Sequence, residues 1–122
     1  MLVRQHRQPA GEILLEVPAG KLEPGESPLD CARREMIEET GYDAEVFTEL
    51  ICFFPSPGFC DEKIYLFSAE NLKRSDIDTT DPEERVSTVT VSMEKAMEMV
   101  NSGEIVDGKT IIALQLIMLK KN

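Results

Sequence analysis

The segment from Gly20 to Tyr42 constrains this chain more than any other. Gly20 is followed by five residues and then Glu26, and seven more lead into Arg34-Glu35-Met36-Ile37-Glu38-Glu39-Thr40-Gly41-Tyr42. Local chemistry predicts a loop and then a helix. Gly20, Pro24 and Gly25 are turn formers. Ser27 suits an N-cap, Pro28 the first helical position, and Asp30 the place where a capping box puts its acid. Gly41 suits the stop. The helix is expected from about Ser27 to Thr40.

On such a helix Glu35 and Glu39, four residues apart, share a face, and Glu38 lies on the same side. Leu29, Ala32 and Met36 form the adjoining apolar stripe, which predicts Glu39 at the edge of the buried face. Like charges at this spacing repel. Arg34 can pair with Glu38 but cannot offset three carboxylates. A divalent cation can, because Mg2+ takes oxygen ligands and keeps coordination positions for substrate phosphate. Taken alone, the helix also reads as a solvated acidic surface with internal ion pairs.

The bulk numbers narrow the class. At 122 residues the chain is expected to form one domain over 1–122. Its 42% hydrophobic and 30% charged content fits a soluble globular protein. A net charge of -10 argues against non-specific nucleic-acid binding, yet suits a phosphorylated small molecule held through cations. No stretch approaches the ~18 apolar residues of a membrane span, and the start lacks a signal-peptide pattern. Cys31, Cys52 and Cys60 are odd in number and include no CxxC, so neither a disulfide framework nor a zinc site is expected. They read as small fillers in a reducing cytoplasm, with no membrane partner.

Along the chain, Met1 to Arg7 and Glu12 to Val17 read as strands. Asp43 to Phe54 reads as a strand, Ser56-Pro57-Gly58 as a loop, and Lys63 to Ala69 as a further strand. Asn71 to Arg85 is polar and reads as an exposed loop, and Val86 to Val91 alternates as a strand. Ser92 to Ser102 is helical, with Met93, Ala96, Met97 and Val100 on one stripe and Gly103 as the stop. Ile111 to Leu119 is a final helix, apolar almost all round, which implies burial against more than one surface. The fold class expected is α+β.

The spacing from Gly20 to Tyr42 fills every fixed position of the Nudix box, so the chain resembles the Nudix hydrolases. The resemblance implies the Nudix fold, an α/β/α sandwich with a mixed central sheet. It implies a loop–helix–loop that binds Mg2+, with Mn2+ as the alternative. By resemblance Glu35 and Glu39 are the main metal ligands, Glu38 is a further ligand and catalytic group, and the carbonyl of Ala19 is another ligand. Arg34 would orient the glutamates, while Gly20 and Glu26 shape the loop.

Residues outside the box resemble the ADP-ribose pyrophosphatase branch. They are Arg4-Gln5-His6-Arg7, Leu15-Glu16-Val17-Pro18-Ala19-Gly20-Lys21, Ser56-Pro57-Gly58-Phe59 with Asp61-Glu62, and Asp107-Gly108-Lys109-Thr110. Pro57 stands sixteen residues after Gly41, the spacing that marks that branch. This implies hydrolysis of ADP-ribose to AMP and ribose 5-phosphate, with Arg4, Arg7, Glu16 and Pro57 on the substrate side. An acidic residue of the loop Asp81-Pro82-Glu83-Glu84-Arg85, Glu84 before Glu83, would act as base or extra ligand. Surface ion pairing for Arg7, loop rigidity for Pro57 and an exposed turn for 81–85 are the plain alternatives. Members of the branch carry a further N-terminal segment that helps a homodimer grip adenosine. This chain starts inside that region, so its N-terminal strands are expected to be missing. His6 stands where an aromatic is usual and reads as a packing substitute. The rival functions are a Nudix hydrolase acting on a nucleoside triphosphate or dinucleotide, and an idle Nudix fold that senses a nucleotide.

Overall fold

The computed structural model describes residues 1–76 and 87–120. Its strands are β1 (Leu2–Arg7), β2 (Glu12–Glu16), β3 (Tyr42–Phe53), β4 (Ile64–Arg74) and β5 (Thr88–Val89), and its helices α1 (Pro28–Thr40), α2 (Met93–Asn101) and α3 (Gly108–Lys120). The α+β class expected from the sequence is the class observed. Where one mixed central sheet was expected, the described strands form two ladders: β2-β1-β5 and β3-β4. Every described pairing is antiparallel.

The first ladder follows from a short turn. Arg7 and Glu12 end the β1–β2 register, and the Gly11 amide donates back to the Arg7 carbonyl at 2.9 Å. Gly11 takes φ +68°, a conformation that favours glycine. The register sets Val3 against Glu16 on the strand ends nearest the core. Leu2 joins Ala96, Met99, Ile105 and Leu114 in the main buried cluster, flanked by Leu15, Val17, Val91 and Ile111. Helices α2 and α3 therefore cover this ladder.

Helix α2 is capped by Ser92, which accepts from the Lys95 amide at 3.1 Å. Its most buried residues are Ala96 and Met99, so Met99 joins the expected stripe and Met93, Met97 and Val100 form its half-buried flank. The chain turns at Gly103, φ +82°, and drops Ile105 into the core. Helix α3 begins earlier than its apolar run suggests. The Asp107 carboxylate accepts from the Thr110 amide at 3.2 Å, which is N-cap chemistry on a polar first turn. Thr110, Ala113 and Leu114 are buried, whereas Leu119 is exposed.

The second ladder is a long hairpin. β4 continues past Ala69 to Arg74, because Leu72, Lys73 and Arg74 pair with Ala44, Asp43 and Tyr42. The polar stretch after Asn71 was expected to be loop. Ladder bonds to a partner remote in sequence override its weak strand propensity. Asn71 takes φ 58°, a left-handed value that Asn tolerates, and the strand runs on beyond it. Residues 77–86 lie outside the described residues, so the first residue of the expected 86–91 strand does too, and β5 is short.

Helix α1 obeys its sequence signals. Ser27 accepts from the Asp30 amide at 3.1 Å, Pro28 opens the helix, and Gly41 closes it at φ 77° with its amide on the Ile37 carbonyl. Its buried side differs from the expected stripe. Cys31 and Ile37 are buried, Ala32 and Met36 are half-buried, and Leu29 is exposed beside Phe47, Tyr65 and Phe67. The reason is non-local. Arg33 stacks over the Phe47 ring at 4.9 Å and pairs with Asp43 at 3.3 Å, which turns one side of α1 to β3. The opposite side, with Cys31, lies under the 20–26 loop. All three cysteines are free, Cys31 buried and Cys52 and Cys60 exposed. His6 is exposed, so it does not pack where an aromatic was expected. No helix among the described residues is long and apolar enough to cross a membrane.

The Ser27 cap gives a direct check. Ser27→Ala should cost about 1 kcal/mol in denaturant unfolding with an unchanged m-value. A loss below a few tenths would mean that the cap does not hold the start of α1.

Candidate active site

The site is assembled where the 20–26 loop folds over α1, and one arginine does most of the joining. Arg34 Nε donates to Glu26 Oε2 at 2.7 Å and Nη2 to Glu26 Oε1 at 3.0 Å, a two-pronged pair. Nη2 also donates to the Lys21 carbonyl at 3.1 Å. Nη1 reaches Glu35 at 2.8 Å and Glu38 at 3.2 Å. Arg34 thus ties loop to helix and hydrogen-bonds two helix carboxylates at once. Its hydrogen bonds to Glu26 and Glu35 raise its already high pKa.

Gly20 is required by contact. A Cβ built on it would overlap the Glu35 carboxyl group, so any side chain there must push Glu35 aside. Cys31 sits under the same turn, its sulfur 3.8 Å from the Gly20 carbonyl. Burial, and then the neighbouring Glu26 charge, push its thiol up to about 11. It fills space and is a poor nucleophile.

Glu39 occupies the far end of the carboxylate face. Its Oε2 accepts from the Ala19 amide at 3.1 Å, so Ala19 meets the helix through its N–H, whereas its carbonyl was the expected ligand. Burial first, and then the Glu35 and Glu16 charges, push the Glu39 carboxyl up to about 7. Burial and the Glu38 and Glu26 charges raise Glu35 as well, against the pull of Arg34. The face therefore carries more negative charge than Arg34 offsets. Among the described residues no three acidic, histidine or cysteine side chains converge tightly enough to form a ready metal cluster. Arg34 holds Glu35 and Glu38 in its own hydrogen bonds.

A second cluster adjoins Glu39. Glu16, 1% exposed, accepts from Arg7 through both oxygens, at 2.7 and 2.6 Å, and from Lys109 at 2.5 Å. Burial pushes the Glu16 carboxyl up, but the hydrogen bonds and charges of Arg7 and Lys109 outweigh it and hold it below the usual carboxylate range. Lys109 also meets Asp107 at 2.9 Å, and Thr110 Oγ1 donates to Asp107 at 2.6 Å. The Arg7 and Glu16 charges both act on Glu39, which places the two clusters side by side.

The structure thus gathers Ala19, Glu26, Arg34, Glu35, Glu38 and Glu39, with Glu16 and Arg7 beside them. Arg7 is engaged in the ion pair that was its plain alternative. Arg4 points elsewhere: it is exposed and bonds Ser87 Oγ at 3.2 Å, securing β5. Pro57 lies in an exposed turn closed by Phe59 and Cys60 amides on the Ser56 carbonyl. Glu83 and Glu84 lie outside the described residues. Sequence reasoning gave no role to Lys109, Asp107 and Thr110. The signal was present in Asp107 and Thr110, three residues apart as an N-cap acceptor and the backbone N–H that donates to it.

The family model described as the NUDIX domain matches residues 1–112. The chain belongs to the Nudix family. It is 42% identical over 122 residues to an ADP-ribose pyrophosphatase of Bacillus subtilis (strain 168), covering 99% of this chain and 66% of that protein. It is 40% identical to a methanol dehydrogenase activator of Bacillus methanolicus with the same coverage. It is 38% identical over 104 residues to a GDP-mannose pyrophosphatase of Salmonella typhi, covering 84% of this chain and 54% of that protein. The chain spans about two thirds of the length of the first two relatives. A solved structure titled as an ADP compounds hydrolase superposes with TM-score 0.85 at 24% identity, covering 96% of this chain and 63% of that one. That likeness establishes the Nudix fold.

Glu26 and Glu39 predict opposite pH effects in metal-free protein. Glu26, bonded to Arg34, sits at about 2, below its ordinary 4.5. Its stabilisation is present above 4.5 and is lost as pH falls towards 2. Glu39 sits at about 7, so its contribution is present below 4.5 and is lost as pH rises through 7. A carboxyl-carbon NMR titration should find midpoints near these values, and a Glu39 midpoint near 4.5 would contradict the crowded, partly buried face.

Proposed function

We propose that this Nudix domain hydrolyses the pyrophosphate linkage of a nucleoside diphosphate derivative, with ADP-ribose as first substrate and AMP and ribose 5-phosphate as products. The observation that carries the reading is the α1 carboxylate face, where Glu35, Glu38 and Glu39 hold excess negative charge beside a cationic Arg7. The 42% identity to an ADP-ribose pyrophosphatase supports the choice of substrate.

The donor set fits Mg2+, with Mn2+ as the alternative. Glu35, Glu38, Glu39 and the Ala19 carbonyl are all hard oxygen donors, and burial, together with the Glu35 and Glu16 charges, holds the Glu39 carboxyl up at about 7, a cost that a bound cation would offset. When bound, the cation neutralises pyrophosphate and lowers the pKa of an attacking water. The protein's own residues do the rest. Arg34 keeps Glu35 and Glu38 aimed and the loop closed over α1. The Ala19 amide fixes the Glu39 carboxylate. Arg7 presents the N–H groups not used by Glu16 to a substrate phosphate oxygen, and Glu38, with Glu84 or Glu83, is the candidate to take the proton of the water. Arg4 and Pro57 remain in the proposal only as outer contacts of the nucleoside. Three free cysteines suit a reducing cytoplasm, and a homodimer is the expected working state.

GDP-mannose relatives at 38% identity favour a second reading, another nucleotide sugar cleaved by the same face. A substrate panel separates the two. ADP-ribose should give the highest kcat/KM with Mg2+, ahead of GDP-mannose and nucleoside triphosphates, and Glu39→Gln should lower turnover at least about 100-fold. Equal or faster cleavage of triphosphates would remove the diphosphate-sugar assignment. Unchanged turnover in Glu39→Gln would remove the metal face.

A further inference from the structure

The first turn of α3 lies outside the box, yet it closes a continuous bonded path to Arg7. The Val17 amide donates to Thr110 Oγ1 at 2.9 Å, and Thr110 Oγ1 donates to Asp107 Oδ2 at 2.6 Å. Asp107 Oδ2 also receives Lys109 Nζ at 2.9 Å, and Lys109 Nζ donates onward to Glu16 Oε1 at 2.5 Å. Glu16 takes Arg7 Nε and Nη2 on its two oxygens. The path therefore starts and ends on the strand and loop that carry Glu16, Val17 and Ala19, and Ala19 is the residue whose amide fixes Glu39.

The charges explain why each member is needed. Glu16 is almost wholly buried, and a buried carboxylate is costly unless it is paired and hydrogen-bonded. Arg7 alone, nearly half exposed, leaves Oε1 with a single charged donor. Lys109 supplies the second, and Asp107 balances Lys109. The four groups are neutral together, and each carboxylate oxygen that is used has its donor. With Oε1 shared between two cations, the carboxylate plane cannot swing, and a two-pronged guanidinium follows that plane.

We propose that Lys109 is a positioning residue for substrate phosphate: it locks Glu16 from the α3 side and so fixes the direction in which Arg7 presents its remaining N–H groups. Lys109 does not itself touch substrate. This rests on the reading of Arg7 as a phosphate contact.

Steady-state kinetics on ADP-ribose with Mg2+ test it. Lys109→Met should raise KM about tenfold, the effect of misdirecting one charge-assisted bond, with kcat changed by less than about twofold. Lys109→Arg, which can still span Glu16 and Asp107, should recover most of the loss. In Arg7→Ala the KM should rise, and adding Lys109→Met to it should raise KM no further, because the lysine acts only through the arginine. Asp107→Asn provides a milder probe and should move KM in the same direction. If Arg7→Ala raises KM while Lys109→Met lowers only the melting temperature, Lys109 is structural and the inference falls while the phosphate role of Arg7 stands. If the two substitutions multiply in the double variant, Lys109 acts independently of Arg7, and the inference falls again. If Arg7→Ala leaves KM unchanged, both the phosphate contact and this inference are wrong.

Discussion

The guanidinium of Arg34 is the interaction on which the site depends. It holds Glu26 from the loop with two bonds and reaches Glu35 and Glu38 on the helix with a third nitrogen. Without it, a loop rich in Gly and Pro has little reason to lie on an acidic helix. With it, the loop is drawn down far enough that Gly20 meets Glu35, and only glycine fits there. The arrangement stays unbalanced in charge. Arg34 compensates the near end of the carboxylate face, while Glu39, about one turn further along the helix, is left with an amide and a raised pKa. Carboxyls perturbed in this way cluster at functional sites.

The fold supplies this pinned loop with two fixed ends. At one end β2 delivers Glu16 into the interior, where Arg7 from β1 and Lys109 from α3 converge on it. At the other, α1 is oriented by Arg33 against Phe47 and Asp43 of β3. The residues between, Val17 to Glu26, are short and anchored on both sides, by Thr110 at Val17 and by Arg34 at Glu26. Chemistry at the site thus depends on packing that brings α3, β1 and β2 together, although none of the box residues lies on them.

How much of this could be read from the sequence follows from the range of the interactions. Helix α1 was legible because Ser27, Pro28 and Gly41 act within one turn of where they stand, and the box spacing singled out Arg34 and the glutamates that the structure brings together. The extension of β4 to Arg74 was not, since its polar residues become strand only through pairing with Tyr42 to Ala44. The buried side of α1 was misjudged for a similar reason. Periodicity gave Leu29, Ala32 and Met36, but the loop covers Cys31 and β3 selects the other flank. Arg4 followed the arginine pattern of its segment, yet strand alternation sends it to Ser87 while Arg7 reaches Glu16. Lys109 was hidden by distance along the chain, lying 93 residues from the carboxylate it neutralises.

The Nudix family membership covers residues 1–112, and within that span α1 carries Glu35, Glu38 and Glu39 on one side. Metal binding by α1, on which the proposed function rests, can be measured without turnover. Titration of Mn2+ followed by electron paramagnetic resonance should show ions bound by the wild-type protein, displaced by Mg2+, with affinity reduced at least about tenfold in Glu35→Gln. Equal Mn2+ binding by the wild type and Glu35→Gln would contradict the account, because the face built around Arg34 would then not be where the cation sits.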